Sequence, residues 1–409
     1  MSDSHATCQP HPDDVVIVGA KRTPQGKLLG SLASETSVDL GAAAVSSALE
    51  DSGVPNGDVD YVVLGQVILA GAGQNPARQV AVKSGIPLDV PAEIVNKVCL
   101  SGLDAIIHAT RMIRVGDASI VVAGGMESMT NAPHIAAGVR QGKTYGDLRL
   151  VDAINRDGLH DAVSGKTMGE ETDRGNQDRG ITREEQDHIA ALSHQRAEKA
   201  RDEGLFDDEI VPIKIPQRKG DPVVVRADEG IRPGTTEEGL SRLRPAFLEG
   251  GTITAASSSQ NSDGAAAVVL TTREEAEKRG LRVLAVVGQY GQTAGPDTTQ
   301  LHSQPSRALK AALDRSGWSI DDLDVIEINE AFAAVVAQSI KDLGVDMDRV
   351  NVNGGGIALG HPVGASGARL VVHMAHELDR RGGGRAGVSL CGGGGQGDAL
   401  TLWAKTQWA

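Results

Sequence analysis

The chain has 409 residues, of which 40% are hydrophobic and 23% charged, a balance that is typical of a globular protein and excludes a largely disordered one. This length predicts two to three domains, with a core large enough to need no disulfide or structural metal. The formal net charge of −14 argues against nucleic acid as a main partner, because phosphate neutralisation needs clustered Lys and Arg.

Residues 1–13 are polar and acidic, without an apolar signal region or an Arg-rich transit segment, so we expect a disordered tail on a cytoplasmic protein. No apolar run approaches the roughly 20 residues that cross a bilayer, so we expect no membrane partner. The three cysteines, Cys8, Cys99 and Cys391, include no Cys-x-x-Cys pair, which argues against a disulfide framework and against a zinc site.

The N-terminal part alternates short apolar strands with helices, which predicts an α/β fold. In chain order, the predicted elements are a strand at 15–19, a loop at 20–30, a helix at 37–52, strands at 61–65 and 120–123, and a helix at 103–115 between these two strands. Gly53 follows the first helix, where a left-handed C-cap is expected.

The middle of the chain, residues 131–250, carries most of the charge runs and only short apolar-periodic pieces. We interpret it as an inserted segment with solvated faces and one helix at 183–203. Strand and helix then alternate again towards the C-terminus, with strands predicted at 325–328 and 386–390.

The C-terminal part repeats the N-terminal part at an offset of 264 to 268 positions. The matched segments are Ala48–Gly53 with Ala312–Gly317, Ser101-Gly102 with Ser366-Gly367, and the strand end Ala123–Gly125 with Cys391–Gly393. Collinear matches at a nearly constant offset predict two copies of one α/β unit. Chemistry is then expected where equivalent loops of the two copies meet.

Several common catalytic motifs are absent from the sequence. There is no G-x-x-x-x-G-K-[ST], no G-x-G-x-x-G between a strand and a helix, no H-E-x-x-H and no G-x-S-x-G. These absences weaken assignments as a nucleotide hydrolase, a dehydrogenase, a zinc peptidase or a serine esterase.

Cys99 and His361 each lie in a turn directly before a predicted helix. At a helix N-terminus the dipole and the free N–H groups stabilise a thiolate, so we expect a lowered pKa for Cys99 and a nucleophilic role. His361, in the glycine-rich segment Gly360–Gly367, is a natural base for a thiol near pH 7. The alternatives are a buried structural cysteine and a loop histidine without a role.

Two further segments follow predicted strands. Cys391 opens a run of four glycines whose N–H groups could form an oxyanion site, and its thiol could transfer protons. Asn329 follows the strand at 325–328, where α/β proteins place catalytic groups, and could hold a water or an oxyanion. The alternatives are an inert cysteine in a structural turn and an ordinary helix start.

Together these four segments, in this order, resemble the active-site loops of the thiolase family. The resemblance extends from about Val15 to Trp403 and includes the segments Val122–Met129, Leu243–Phe247 and Ser262–Ala266. It implies duplicated α/β halves in a layered αβαβα sandwich with an inserted loop domain. The expected boundaries are a tail at 1–13, an N-terminal half at 14–130 plus 251–272, a loop domain at 131–250 and a C-terminal half at 280–409.

The resemblance also implies roles for single residues. Cys99 would be the acylated nucleophile, His361 its activator, Asn329 the holder of a water, and Cys391 the acid/base at the α-carbon. The backbone N–H groups of Cys99 and Gly393 would form the oxyanion hole. The residues expected to contact the substrate are Ser259, Met168, Arg232, Ala331 and Phe332.

The activity implied is acetyl-CoA C-acetyltransferase, with coenzyme A as substrate or product, no separate cofactor, no metal, and a homodimer or homotetramer. At two places the sequence differs from the family pattern in a way that bears on the length of the acyl chain: Thr167 stands where biosynthetic members often have His, and Leu301–Pro305 replaces Met-Gly-x-Gly-Pro. A degradative 3-ketoacyl-CoA thiolase of broader chain length is therefore the close alternative. A ketosynthase is disfavoured by the second cysteine, and a non-catalytic acyl-CoA or lipid binder has no need of all four residues.

Overall fold

A computed structural model of the protein describes residues 10–297 and 299–405. The strands are β1 (Val15–Arg22), β2 (Gly26–Lys27), β3 (Tyr61–Gly65), β4 (Ala92–Val95), β5 (Ile120–Ser128), β6 (His134–Ile135), β7 (Val151–Asp152), β8 (Ile213–Ile215), β9 (Val223–Val225), β10 (Ser262–Thr272), β11 (Ala285–Ala294), β12 (Val325–Ile328), β13 (Gly384–Gly392) and β14 (Gln396–Ala404).

The α-helices are α1 (Ser37–Ser52), α2 (Pro76–Lys83), α3 (Ser101–Val115), α4 (Met168–Arg179), α5 (Arg183–Asp202), α6 (Glu237–Ser241), α7 (Arg273–Arg279), α8 (Gln304–Ser316), α9 (Ala333–Leu343), α10 (Gly356–Leu359) and α11 (Ser366–Arg380). Among the residues described, none of these helices has both the length and the apolar character of a transmembrane segment.

One mixed sheet contains most of the strands, in the order β12-β13-β14-β11-β1-β10-β5-β3-β4, with β2 also paired to β10. Read outwards from its middle, the two halves match: β1, β10, β5 and β3 correspond to β11, β14, β13 and β12. The senses match too, because the first two pairings on each side are antiparallel and the third is parallel. The predicted duplication is confirmed in the strand order.

The layers follow from which face of each strand is buried against which helix. α3 and α11 lie in the centre, in contact with apolar residues from both halves of the sheet. α1 and α2 cover the outer face of the first half, while α8 and α9 cover the outer face of the second. This is the expected layered α/β sandwich, except that β1 and β11 join its two sheets at Val16↔Val286 and Ile17↔Ala285.

Several predicted elements are confirmed with small changes in their bounds. α1 has the predicted bounds, and Gly53 at φ 72° forms its left-handed C-cap. The first strand continues to Arg22, so the loop predicted at 20–30 begins later and contains β2. β5 and β13 also extend beyond the predicted strands, because the glycines that follow the predicted ends, Gly124 and Gly125 in β5 and Gly392 in β13, still pair with neighbours.

Residues 131–250 contain α4, α5, α6 and the two short hairpins β6–β7 and β8–β9, and the chain then returns to the sheet as β10. A buried ionic cluster ties this segment to both halves. The Arg22 guanidinium of β1 donates to Glu209 (2.7 Å) and to Asp228 (2.7 and 3.0 Å), and Glu209 also bonds His373 of α11 (2.9 Å).

The exact domain boundaries stay a prediction. Cys8 and most of the predicted tail lie outside the described residues.

Candidate active site

A cavity of about 150 Å³ opens where loops of both halves meet the inserted segment. Seven of the predicted site residues line it, namely Cys99, Met168, Ser259, Ala331, Phe332, His361 and Cys391. Its further walls are Asn155, Leu159, Thr167, Gly169, Phe247, Ser258, Asn261, Leu301, Val363 and Gly392. The structure therefore brings together three of the four reactive residues that the sequence singles out, and Asn329 lies directly beside His361.

Cys99 lies in a tight turn before α3. Val98, immediately before it, has φ 51°, which is a strained conformation for a β-branched residue. The Ser101 hydroxyl fixes this turn, because it accepts from the Lys97 N–H (2.9 Å) and donates to the Val98 carbonyl (2.6 Å). Cys99 is 3% exposed, so the strained turn presents the thiol to the cavity and not to bulk solvent.

The expectation of a lowered pKa for Cys99 is wrong. Burial raises the pKa of the Cys99 thiol to about 11, while the N–H groups of Gly393 and of Cys99 itself act in the opposite direction. Removing the thiol from water outweighs the favourable helix N-terminus. At neutral pH the thiol is protonated, and it needs a base beside it to become a nucleophile.

His361 follows Gly360, whose φ of 116° and close approach to the Ser262 hydroxyl leave no room for a side chain. The His361 backbone N–H donates to the Gln260 carbonyl (3.1 Å), which fixes the loop against the segment that leads into β10. Burial lowers the pKa of His361 to about 4, with a further contribution from the Arg369 guanidinium. The imidazole is therefore neutral at pH 7.

The hydrogen-bond network assigns the tautomer of His361. Its Nδ1 bonds the Ser366 hydroxyl, and that hydroxyl donates to the Pro362 carbonyl (3.0 Å). Nδ1 therefore carries the proton, and Nε2 is left with a free lone pair. Nε2 lies 3.5 Å from the Asn329 Nδ2, which is long for a direct hydrogen bond and leaves both groups open to a shared third partner.

Asn329 follows β12 and is fully buried, with no hydrogen-bond partner for its Oδ1 among the described residues. The neighbouring Glu330 carboxylate fixes its position: it accepts from the Ser193 hydroxyl (2.6 Å), the Asn351 amide (2.8 Å) and the Ile357 N–H (3.0 Å). An unsatisfied buried amide oxygen beside a basic imidazole nitrogen is a polar site suited to a bound water or a substrate oxygen.

Cys391 lies near the end of β13, directly before the glycine turn into β14. Burial and the neighbouring Cys99 raise the pKa of the Cys391 thiol far above its ordinary value. A Cβ on Gly393 would meet both Val98 and Met168 at 3.2 Å, so this glycine permits close contact between the two thiol-bearing loops. Two thiols from opposite halves thus share one cavity with one neutral histidine.

One side of the cavity is apolar and is closed by the inserted segment. Met168 begins α4, and Thr167 caps that helix by accepting from the Glu170 N–H (3.1 Å). The threonine that stands here in place of the family's histidine thus has a local structural role. The Phe247 ring lies against Gly169 and packs edge-on against Phe332 at 5.8 Å between ring centres.

The remaining predicted contact residues behave differently from one another. Ser259 is in the cavity wall, with its hydroxyl donating to the Ala331 carbonyl (3.1 Å). Arg232 does not line the cavity; it is exposed, and its backbone N–H donates to His194 Nδ1 (3.2 Å). Its role in coenzyme A binding stays a prediction.

Sequence reasoning missed Glu127 and Ser366. Glu127 accepts from the N–H groups of Val67 (2.9 Å), Ile68 (3.3 Å) and Gly364 (3.1 Å), and burial raises its pKa to about 7. It thereby joins the loop after β3 to the loop that carries His361. The sequence places Glu127 four positions beyond the strand predicted at 120–123, so its burial and its need for several donors were not visible there.

No cluster of three or more His, Cys, Asp or Glu side chains that could hold a metal occurs among residues 10–297 and 299–405. Within that part of the chain Cys99 and Cys391 are free thiols.

Comparisons with known proteins agree along nearly the whole chain. Residues 15–274 match the family described as "Thiolase, N-terminal domain", and residues 281–404 match "Thiolase, C-terminal domain". A probable acetyl-CoA acetyltransferase of Mycolicibacterium smegmatis is 56% identical over 95% of this chain and 100% of its own length. An acetyl-CoA acetyltransferase of Pseudomonas aeruginosa is 50% identical over 95% of this chain and 99% of its own length.

Among solved structures, a Bacillus anthracis acetyl-CoA acetyltransferase superimposes with a TM-score of 0.93 at 39% identity, covering 96% of this chain and 98% of that one.

Proposed function

This chain belongs to the thiolase family, and we propose that it is an acetyl-CoA C-acetyltransferase, which condenses two acetyl-CoA into acetoacetyl-CoA and coenzyme A or catalyses the reverse thiolysis. The observation that carries the proposal is the pair of buried thiols, one from each half, in one cavity with a neutral histidine. Coenzyme A is then a substrate and product, and no separate cofactor takes part.

Acylation begins at Cys99. His361 Nε2 takes the thiol proton while Sγ attacks the thioester carbonyl of the first acetyl-CoA. The N–H groups of Cys99 and Gly393 stabilise the oxyanion, a contribution worth roughly 3–4 kcal/mol per donor. The coenzyme A sulfur leaves with the proton of Cys391, so this step produces acetyl-Cys99, an imidazolium and a Cys391 thiolate.

Condensation then uses the groups that acylation has prepared. The Cys391 thiolate, a strong base because of its raised pKa, takes the α-proton of the second acetyl-CoA. The imidazolium Nε2–H, together with a water held by Asn329, stabilises the resulting enolate oxygen. The α-carbon attacks acetyl-Cys99, and the expelled thiolate recovers its proton from His361, so every group returns to its starting state.

The cavity dimensions support a short acyl chain. Met168, Phe247 and Leu301 narrow a space of about 150 Å³ that also has to admit the thioester. Thr167 and Leu301–Pro305 differ from the pattern of biosynthetic members of the family. A 3-ketoacyl-CoA thiolase that accepts a broader range of acyl-chain lengths is therefore the alternative against which this proposal is tested. As the family resemblance implies, we also propose a homodimer or homotetramer, and light scattering on the purified protein measures this state. A cytoplasmic location is a separate part of the proposal.

Intact-protein mass spectrometry after incubation with acetyl-CoA tests the nucleophile. The wild type should gain one acetyl group, Cys99→Ser should gain none, and the matched control Cys8→Ser should gain one like the wild type.

Thiolysis rates across 3-ketoacyl-CoA chain lengths then test the substrate. We expect the highest kcat/KM for acetoacetyl-CoA; a preference for 3-ketooctanoyl-CoA or longer would support the degradative alternative, and an absence of thiolysis would support a binding protein.

A further inference from the structure

A mostly buried ion pair links the loops that carry the two thiols. Lys97 Nζ contacts both carboxylate oxygens of Asp398, at 2.8 and 3.0 Å, across 301 positions of sequence. Asp398 is fully buried, and the Lys97 side chain is 21% exposed. A pair this far from bulk water is weakly screened, so separating the two charges is costly.

Each partner is adjacent in structure to one of the thiols. Lys97 precedes the strained residue Val98 in the turn of Cys99, and its backbone N–H donates to the Ser101 hydroxyl that fixes this turn. Asp398 lies on β14 one position beyond Gly397, the residue that pairs with Cys391. The ion pair thus connects the N-terminal half at the nucleophile to the C-terminal half at the second thiol.

Second contacts hold the pair in place. Gln292 Nε2 donates to Asp104 Oδ1 (2.7 Å) and to Asp398 Oδ1 (3.3 Å), while the Arg111 guanidinium donates to Gln292 Oε1 (2.8 Å). Asp104 Oδ1 also lies 3.7 Å from Lys97 Nζ. The partners that surround Lys97 come from α3 and from strands β11 and β14 of the second half, so the network has little freedom to shift.

We infer that the Lys97–Asp398 ion pair is a positioning device for catalysis, which holds the Cys99 turn against the glycine turn of Gly393 so that thiol and oxyanion donors stay aligned. The contact that transmits this effect is direct, because Val98 lies against Gly393. A displacement of about 1 Å between reacting groups is enough to slow an enzyme roughly a hundredfold. The inference rests on the proposed function.

Lys97→Met tests the inference by removing the charge and keeping most of the side-chain volume. We expect kcat for thiolysis and the single-turnover rate of Cys99 acetylation to fall about a hundredfold, with KM within about threefold of wild type. Lys97→Arg keeps a cation near Asp398 and should recover at least a tenth of the wild-type kcat. Asp398→Asn should also lower kcat, and the double variant Lys97→Met/Asp398→Asn should lose no more than the worse single variant.

Glu209→Gln is the matched control, because it breaks another buried ion pair, that of Arg22, away from the cavity. It should lower the melting temperature while kcat stays within about twofold of wild type. The inference is wrong if Lys97→Met keeps wild-type kcat, if its loss appears only in KM, or if the two single losses multiply in the double variant. An inactive wild type would instead overturn the proposed function. If Lys97→Met does not fold, the kcat values of Asp398→Asn and Lys97→Arg decide the inference alone.

Discussion

The reactive residues of this cavity are buried groups kept in their neutral forms. The thiol of Cys99 has its pKa raised to about 11, and the imidazole of His361 has its pKa lowered to about 4. Neither group is charged at pH 7, so a charge separation appears only when a proton moves between them. In the mechanism that we propose, the backbone N–H groups of Cys99 and Gly393 then stabilise the new negative charge, in a place from which water is largely excluded.

Cys391→Ala separates the two chemical steps. In this variant the departing coenzyme A thiolate can take its proton from the His361 imidazolium or from water, but no side chain replaces Cys391 as the base for the α-proton. The variant should therefore still acquire an acetyl group on Cys99, as read by intact mass. It should lose acetoacetyl-CoA formation by a factor of at least about 100, the lower range for a general acid–base group. An acylation defect with condensation intact from preformed acyl-enzyme would contradict the assigned roles.

Met168→Ala tests the wall of the acyl pocket. Each buried methylene contributes about 0.8 kcal/mol, roughly a fourfold gain in kcat/KM where space allows. We expect wild-type kcat/KM to fall with chain length and the variant to flatten that fall. Met347→Ala, at a half-buried methionine away from the cavity, is the control and should keep the wild-type profile. A variant profile as steep as that of the wild type would exclude Met168 as the wall.

Local sequence signals identified the elements well because the physics of each is local. α1 is bounded by a capping box at Thr36 and by Gly53, so its predicted limits needed no tertiary information. The extension of β5 through Gly124 and Gly125 was not predictable, because these glycines are strand residues only through pairing with β10. The pKa of Cys99 was likewise missed, since the sequence shows the helix start but not the burial.

The duplicated helices α1 and α8 offer a matched pair of mutations. Both end at a left-handed glycine with no neighbouring atom within 4 Å of an added Cβ, Gly53 at φ 72° and Gly317 at φ 65°. Gly53→Ala and Gly317→Ala should therefore each lower the free energy of unfolding by roughly 1 kcal/mol, through backbone strain alone. Gly57→Ala, equally open but without a positive φ, should be neutral in the same denaturation experiment. A clearly unequal effect of the two caps would count against their equivalence.

Across the whole molecule, buried histidines make stability depend on pH. Burial lowers the pKa of His302 to about 3, and the nearby Arg179 adds to this shift. A depressed pKa stabilises the fold above the unfolded value of 6.5, and that stability is lost as the pH falls. Buried acids such as Glu127 act with the opposite sign, because a raised pKa favours the fold at lower pH.

His302→Gln isolates one such contribution. The amide can still donate to Asn176, which His302 Nε2 contacts at 2.8 Å, but it cannot take up a proton. The variant should gain stability relative to wild type as the pH falls from 6.5 to 4.5, by up to about 1.4 kcal/mol per pH unit. Melting temperatures across this range measure the difference, and the exposed His188→Gln is the control. A difference that does not change with pH would exclude His302 as the source.

The hydrogen bonds between β1 and β11 fix the two halves of the molecule, and with them the two thiols, relative to one another. Domain closure around a ligand needs a boundary across which two bodies can rotate. Here the sheet crosses the boundary between the halves, and α3 packs on α11 along it. The two thiols are consequently a fixed pair, and the entropy lost in bringing them together is lost once, during folding, and is not lost again in each catalytic cycle.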